Sequence, residues 1–380
     1  MGRASAVRLR ALDGLRGTCS VLIALAHLEM TGYVGFGGWL TRGHVLVDVF
    51  FVLSGFVIAL VYADRLGDAA GSAAFLVRRL GRVWPLHAAV LTLFVGAELA
   101  KMVAAAGFGY VPHFAPFTGQ RPLDTLLPNL LLIHVFDTEA DLTWNFPSWS
   151  MAAEFWVYGV FAAVVVPTVG RPRLRLVLAA LLCAAGGLTV AALSPHRMDA
   201  TYDFGVPRCL YGFFAGMLLA AFWRAHGHRV PGGTVAEVAA LAIAAAFVAL
   251  SPGTAFEFAA PAVYVVLIAV LAREAGLPSR LLRTAPFQTL GRLSYSIYLL
   301  HALVVTSVVP RIAAAVIALA PGRPAVAMVA IPVLYVALVA LLASATRRFV
   351  ELPGRRLFEG LAARAARGTG PSTAGAAVEG

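Results

Sequence analysis

Charge is scarce in this chain. Only 13% of its 380 residues are Asp, Glu, Lys or Arg, and lysine occurs once, at Lys101. Soluble domains carry about 25% charge, so a water-facing globular surface cannot be built from this composition. Cysteine is nearly missing as well. Cys19, Cys183 and Cys209 are odd in number, lie in or beside apolar runs and lack metal-ligand spacing, which excludes a disulfide framework and leaves no metal site to expect. No internal repeat is visible, which speaks against the inverted-repeat transporter folds. A cleavable leader is not expected either: His27 and Glu29 interrupt the first apolar stretch and no small-residue cleavage site follows. That stretch reads as a retained first span.

Apolar residues make up 60% of the chain, and the mean hydropathy is +0.82. A helix needs about 20 apolar residues to cross the hydrocarbon core. Runs that qualify lie near 15–34, 44–63, 83–107, 147–167, 174–193, 206–223, 233–251, 256–272, 289–319 and 325–346. The expected fold is therefore an all-α integral membrane protein with about ten transmembrane helices. Residues 1–350 form the transmembrane domain, and 351–380 form a cytoplasmic tail expected to be disordered from about 361. The short apolar stretch 126–135 reads as a buried or interfacial piece of a long outer loop.

Basic residues test this topology, because Lys and Arg concentrate in cytoplasmic loops. With the N-terminus inside, every basic residue falls on the inner side except Arg42, Lys101, Arg121, Arg197, Arg208, Arg311 and Arg323. Both termini are thus expected in the cytoplasm. The net charge of +11 is accounted for by topology and the lipid bilayer, with no nucleic acid as partner.

An ionisable group inside a span is costly unless paired or wet, so each one is a functional candidate. Arg16 and His27 are eleven residues apart on the first helix, about three turns and roughly 16 Å of rise, and share a face. Asp48 opens the second span in VDVFFVLSGFVI at a depth near that of His27, where a carboxylate would orient an imidazole. Ser54 lies about two turns deeper. Arg79 and Arg82, in RRLGRVWP, are neighbours on a helix and suit a phosphate ligand. Glu154 follows Pro147 in PSWSMAAEFWVY, and His301 ends LGRLSYSIYLLH beyond Tyr295 and Tyr298. Each also has a plain structural reading: topology anchors for the arginines, packing or hydrogen-bonded cores for the histidines, Glu154 and Ser54, and a pair with Arg42 or His44 for Asp48. Glu98 and Lys101 read as a pair that satisfies itself. Trp144 and Trp149 stand where a sugar would stack, or where an interfacial aromatic belt would.

Basic groups at the inner mouth, a histidine and carboxylates in the outer half, and apolar walls between them suit a donor with an anionic head and a long neutral arm, as in acyl-coenzyme A. In five motifs taken in order, the chain resembles the membrane-bound acyltransferase-3 family: LDGLRG with Arg16 and His27, VDVFFVLSGFVI, the Arg79 and Arg82 pair, WSMAAEFWVY, and LGRLSYSIYLLH. The resemblance implies a bacterial plasma-membrane O-acyltransferase without a bound cofactor. Acyl-coenzyme A, with acetyl as the default group, would be the donor and a glycan or glycosylated hydroxyl the acceptor. Arg16, Arg79 and Arg82 would bind the donor, His27 would act as general base with Asp48 or Glu154 as its partner, and Ser54, Tyr295 and His301 would support the site. An acyl-enzyme on His27 or Ser54 stays open beside direct transfer. Phe155, Trp156 and His87 depart from the family pattern. The rival reading is a proton-coupled secondary transporter or flippase, since the same ionisable residues build proton relays.

Overall fold

The structure, a computed structural model, describes residues 9–38, 43–109, 111 and 114–367. Arg3, Arg8, Arg42 and the tail beyond residue 367 lie outside the described residues. Every regular element among the described residues is helical. In chain order these are α1 (Arg10–Met30), α2 (Val47–Tyr62, entered through a single turn at Gly43–Leu46), α3 (Ala69–Phe108), α4 (Leu126–Leu130), α5 (Ser148–Val165), α6 (Pro172–Leu193) and α7 (Gly205–His226). They continue as α8 (Thr234–Leu250), α9 (Ala260–Leu271), α10 (Leu277–Leu282), α11 (Ala285–Ser307), α12 (Val309–Leu319), α13 (Pro324–Thr346) and α14 (Leu352–Arg367).

Among the described residues seven helices are long and apolar enough to cross a membrane, and α11 with α12, bent by 57°, makes an eighth if counted as one broken span. The expected run 289–319 breaks because Pro310 enters as the second residue of α12. Its ring removes a hydrogen-bond donor and disfavours helix at the residue before it. The expected spans at 233–251 and 256–272 form shorter apolar helices, Thr234–Leu250 and Ala255–Leu271. The third span begins well before residue 83: Asp68 caps α3 by accepting from the Gly71 N–H at 2.7 Å, which satisfies a donor that the first turn leaves open. At 40 residues α3 is about 60 Å long, roughly twice the hydrocarbon thickness.

The tail is not disordered at 361. α14 continues helical to Arg367 and packs along α3, with Phe358 over Gly81 and Gly354 against the Pro85 ring. Its buried Ala362 and the apolar surface of α3 supply the partner that an isolated reading of its Ala, Gly and Arg content lacks.

Core positions on α1 recur at Leu12, Leu15, Cys19, Ile23 and Ala26, the period of one helix face, while another side of the helix, carrying Gly14 and Gly17, packs on α11. The two helices run parallel and touch backbone to backbone. A methyl group added to Gly17 would lie 2.4 Å from the Gly291 nitrogen, and one added to Gly291 would lie 2.4 Å from the Asp13 carbonyl oxygen. Small residues allow this approach in a bilayer, where packing replaces the hydrophobic drive. Gly55 and Gly216 join α2 to α7 in the same way.

Gly291→Ala is therefore expected to destabilise the folded protein by about 1–3 kcal/mol, read as a lower Tm in detergent. Gly96→Ala, where an added methyl meets nothing within 4 Å, leaves Tm unchanged or raises it.

Candidate active site

The parallel register of α1 and α11 brings Arg16 beside Ser294. Arg16 Nε donates to Ser294 Oγ at 3.0 Å, and its Nη2 donates to Asp13 Oδ1 at 3.2 Å and to the Gly291 carbonyl at 3.3 Å. Arg16 thus stands at the inner end of a cavity of about 200 Å³ whose wall also contains Arg79, Arg82, Ser54, Glu154 and Tyr295. Six residues singled out in the sequence from five different helices meet in this one space. Arg79 is held by Tyr62, whose hydroxyl accepts from Nη2 at 3.3 Å, and its guanidinium lies over the Tyr62, Phe75 and Tyr158 rings at 5.3, 5.6 and 5.9 Å. Its Nε is buried without a hydrogen-bond partner. Three guanidinium groups around one enclosed volume require anions, and cation–π contact covers only part of that need.

Glu154 supplies some of the countercharge. Its Oε1 accepts from the Ser54 hydroxyl and from the Tyr158 hydroxyl at 2.6 Å. This engages Glu154 inside the cavity and not at His27, which corrects its expected role as a partner of that histidine. Ser54, bonded to the carboxylate, is held as a donor to it. The Tyr295 hydroxyl donates to the Val83 carbonyl, tying α11 to α3 beside the arginines.

His27 and His301 meet above this cavity. Their rings stack with centroids 5.0 Å apart, and His301 Nε2 lies 3.1 Å from His27 Nδ1. His27 Nδ1 is also 2.9 Å from the Ile23 carbonyl. A carbonyl can only accept, so the tautomer that satisfies it carries the hydrogen on Nδ1 and leaves the Nε2 lone pair free, the arrangement a general base requires. Phe146 packs on His27 at 4.8 Å and on His301 at 6.0 Å. Tyr298 stands between the two compartments: it lines the cavity, its ring is edge-on to His301 at 5.8 Å, and its hydroxyl is 2.7 Å from Ser150 Oγ.

Asp48 is not in this constellation. Its carboxylate is grasped by Arg208 of α7, Nε to Oδ1 at 3.1 Å and Nη2 to Oδ2 at 2.8 Å, with both side chains fully buried. The remaining Arg208 donors reach the Ala200 carbonyl at 3.1 Å and the His44 carbonyl at 2.8 Å, and its guanidinium covers Trp149 at 5.4 Å. The expectation that Asp48 partners His27 is corrected accordingly: the imidazole at 3.1 Å is His301, and Asp48 is the acidic half of a lock between α2 and α7. The sequence did carry a signal for this pair, since Arg208 and Asp48 each stand near the start of an apolar run, 206–223 and 44–63.

With this geometry in view, the model of a family described as an acyltransferase domain matches residues 9–346. The chain belongs to the acyltransferase-3 family. It is an acyltransferase by family, and its relatives are consistent with that. The acyltransferase MdmB of Streptomyces mycarofaciens is 28% identical over 79% of this chain and 79% of its own length. The transacylase BcsY of Komagataeibacter xylinus, named as putative and membrane-bound, is 28% identical over 77% of this chain and 72% of its length. The peptidoglycan O-acetyltransferase OatA of Listeria monocytogenes is 22% identical over 79% of this chain, which spans half of that protein. No solved structure matches.

Two of the three residues that depart from the family pattern, His87 and Trp156, hold the loop around α4. His87 Nε2 bonds the Asn129 carbonyl at 2.9 Å, and Trp156 Nε1 donates to the Leu132 carbonyl at 2.8 Å. With Trp84 Nε1 donating to the Leu130 carbonyl at 3.0 Å, they pin the segment around α4 against α3 and α5. Trp144 and Trp149 are not available to stack on a sugar. Both are buried: Trp144 Nε1 donates to the Pro122 carbonyl at 3.1 Å, and Trp149 lies under Arg208. The expected Glu98 and Lys101 pair is present at 2.7 Å and joined by Arg121 at 2.6 Å.

Two predictions follow from this packing. Asp48→Ala leaves Arg208 buried and uncompensated and costs about 3–5 kcal/mol, measured by thermal unfolding in detergent, whereas Asp48→Met combined with Arg208→Met recovers most of the loss. In the outer loop, burial and the nearby His87 push the His134 imidazole down to about 3. The folded loop therefore binds fewer protons than the unfolded one below the ordinary imidazole value of 6.5, and the stability that His134 contributes is present above that pH and is lost as pH falls toward 3. Loop protection in hydrogen exchange should drop between pH 7 and pH 5, and His134→Gln should flatten that dependence.

Proposed function

We propose that this chain is a membrane O-acyltransferase that takes an acyl group, acetyl by default, from cytoplasmic acyl-coenzyme A and delivers it to a hydroxyl of a glycan or glycosylated acceptor. The observation that carries this reading is the meeting of Arg16, Arg79 and Arg82 in one cavity that ends, through Tyr298, at an imidazole pair. Coenzyme A is a polyanion with a thin, mostly neutral arm. Its phosphates would bind the arginine end as charge-assisted pairs, and the arm would cover the roughly 16 Å of helix rise between Arg16 and His27. His27, with its Nε2 lone pair open, would take the acceptor proton, and His301 would share the charge that then forms on the His27 ring. Apolar walls exclude water and strengthen both interactions. Glu154 would balance the three arginines and hold the wall formed by Ser54 and Tyr158.

The proposed setting is a bacterial plasma membrane crossed about ten times, the two shorter apolar helices included, with both termini cytoplasmic. Support comes from the arginines that cluster at one end of the bundle, where Arg10 and Arg347 of different helices bond the carbonyls of Arg283 and Arg292. A glycan acceptor is supported by the peptidoglycan substrate named for the Listeria relative.

Purified protein in detergent should release coenzyme A thiol from acetyl-coenzyme A in the presence of an acceptor glycan, with no ion gradient. His27→Ala should lower this rate by about 10²–10⁴-fold while the protein still inserts and purifies as wild type does. Replacing Arg79 and Arg82 together by Ala should raise the donor KM about tenfold or more. Wild-type turnover in His27→Ala, or thiol release only under a gradient, would sink the assignment.

A further inference from the structure

The hydroxyl groups around the cavity fall into two kinds. Ser54 and Tyr158 donate to the Glu154 carboxylate. Tyr295 donates to the Val83 carbonyl. Ser294 accepts from Arg16 and donates to the Gly291 carbonyl at 3.0 Å. Each of these is spent on a charge or on a backbone acceptor that has few alternatives. Tyr298 and Ser150 differ, because they bond each other at 2.7 Å. Ser150 is otherwise held only by a long contact of 3.3 Å to the Pro147 carbonyl. If Ser150 turns its hydrogen to the Tyr298 oxygen, one weak bond is given up and the phenol proton is freed for the cavity.

The depth of this pair is read from α11. Ser294, at the arginine end, Tyr298 and His301 follow one another along the helix, so Tyr298 is about 6 Å above Ser294 and about 4.5 Å below His301. An acyl group carried past the arginines toward His27 would bring its carbonyl to the level of Tyr298. The Tyr298 side chain is buried, is packed against Phe50 at 5.7 Å, and lines the cavity. It is a donor held in place by that packing, and preorganised donors are the ones whose hydrogen bonds to developing charge have their largest effect.

We propose that Tyr298 donates its phenolic hydrogen to the carbonyl oxygen of the acyl thioester, with Ser150 as the positioning residue that orients the phenol. The inference rests on the acyltransferase reading given above. In the step it serves, the acceptor oxygen bonds the thioester carbon as its proton passes to His27 Nε2, and the carbonyl π pair moves onto the oxygen that Tyr298 holds. When that pair returns, the carbon–sulfur bond breaks, and the departing sulfur takes the proton from His27. Atoms and charge balance with no further reactant.

The test uses the full-length protein in detergent with acetyl-coenzyme A and an acceptor glycan, and with coenzyme A alone as the binding probe. Tyr298→Phe is expected to lower kcat by about 10²–10³-fold with coenzyme A binding unchanged. Ser150→Ala should lower kcat by less, and should cost nothing further in the Tyr298→Phe background. Incorporation of 3-fluorotyrosine at position 298, a stronger donor of the same shape, should raise kcat above that of wild type. A Tyr298→Phe enzyme within threefold of wild type overturns the proposal. So does a loss of coenzyme A binding in step with rate, or a kcat indifferent to fluorination. Failure of the acyltransferase reading itself is distinct: wild-type protein would then release no coenzyme A.

Discussion

The backbone contact between α1 and α11 is the constraint on which the site depends. Gly17 and Gly291 leave no room for a single methyl group, and this closeness brings two polar meetings into register on parallel helices. Arg16 reaches Ser294 at one level, and His27 reaches His301 about three turns farther along α1 and about two turns farther along α11. A wider spacing would separate both pairs together. The same two helices thus set the arginine end and the imidazole end of the site, and the distance between them is the rise of a helix and not the reach of a flexible loop.

Around this seam the protein disposes of charge in two different ways. Asp48 and Arg208 are deep, bidentate and completely buried. Such a pair adds little net stability over an apolar alternative, while breaking it is costly, so its consequence is a fixed arrangement of α2, α7 and the Trp149 region. Arg16, Arg79, Arg82 and Glu154 are arranged oppositely. They face one cavity and are partnered by hydroxyls and rings more than by full countercharges, which leaves them able to meet an anionic ligand. The separation of sealed from open charge distinguishes the scaffold from the site.

The segment around α4 has almost no regular structure, yet it is anchored by indole and imidazole donors to its backbone carbonyls at Leu130, Leu132, Asn129 and Pro122. Backbone polar groups buried in a folded protein must be satisfied, and here Trp84, Trp156, His87 and Trp144 do so. Aromatic residues that looked suited to stacking on a sugar are consumed in holding the loop. Phe146, at the end of that loop, reaches the His27 ring and so connects the outer cap to the imidazole pair.

Much of the molecule was legible from residue order alone. The helical class, most of the apolar runs and four of the residues that share the cavity, Arg16, Arg79, Arg82 and Glu154, follow from spacing and from the cost of ionisable groups in lipid, because both depend on local composition and depth. Motif order also pointed to the family. What depended on contacts between distant segments was not legible. Asp48 and His27 lie at similar depths, but depth does not specify which helix is the neighbour, and the fold gave Asp48 to Arg208 and His27 to His301. The packing of α14 on α3, the burial of Trp144 and Trp149, and the pairing of Tyr298 with Ser150 were decided in the same way. A one-dimensional pattern reports which face of a helix is polar and how deep it lies, and only the tertiary structure decides what that face meets.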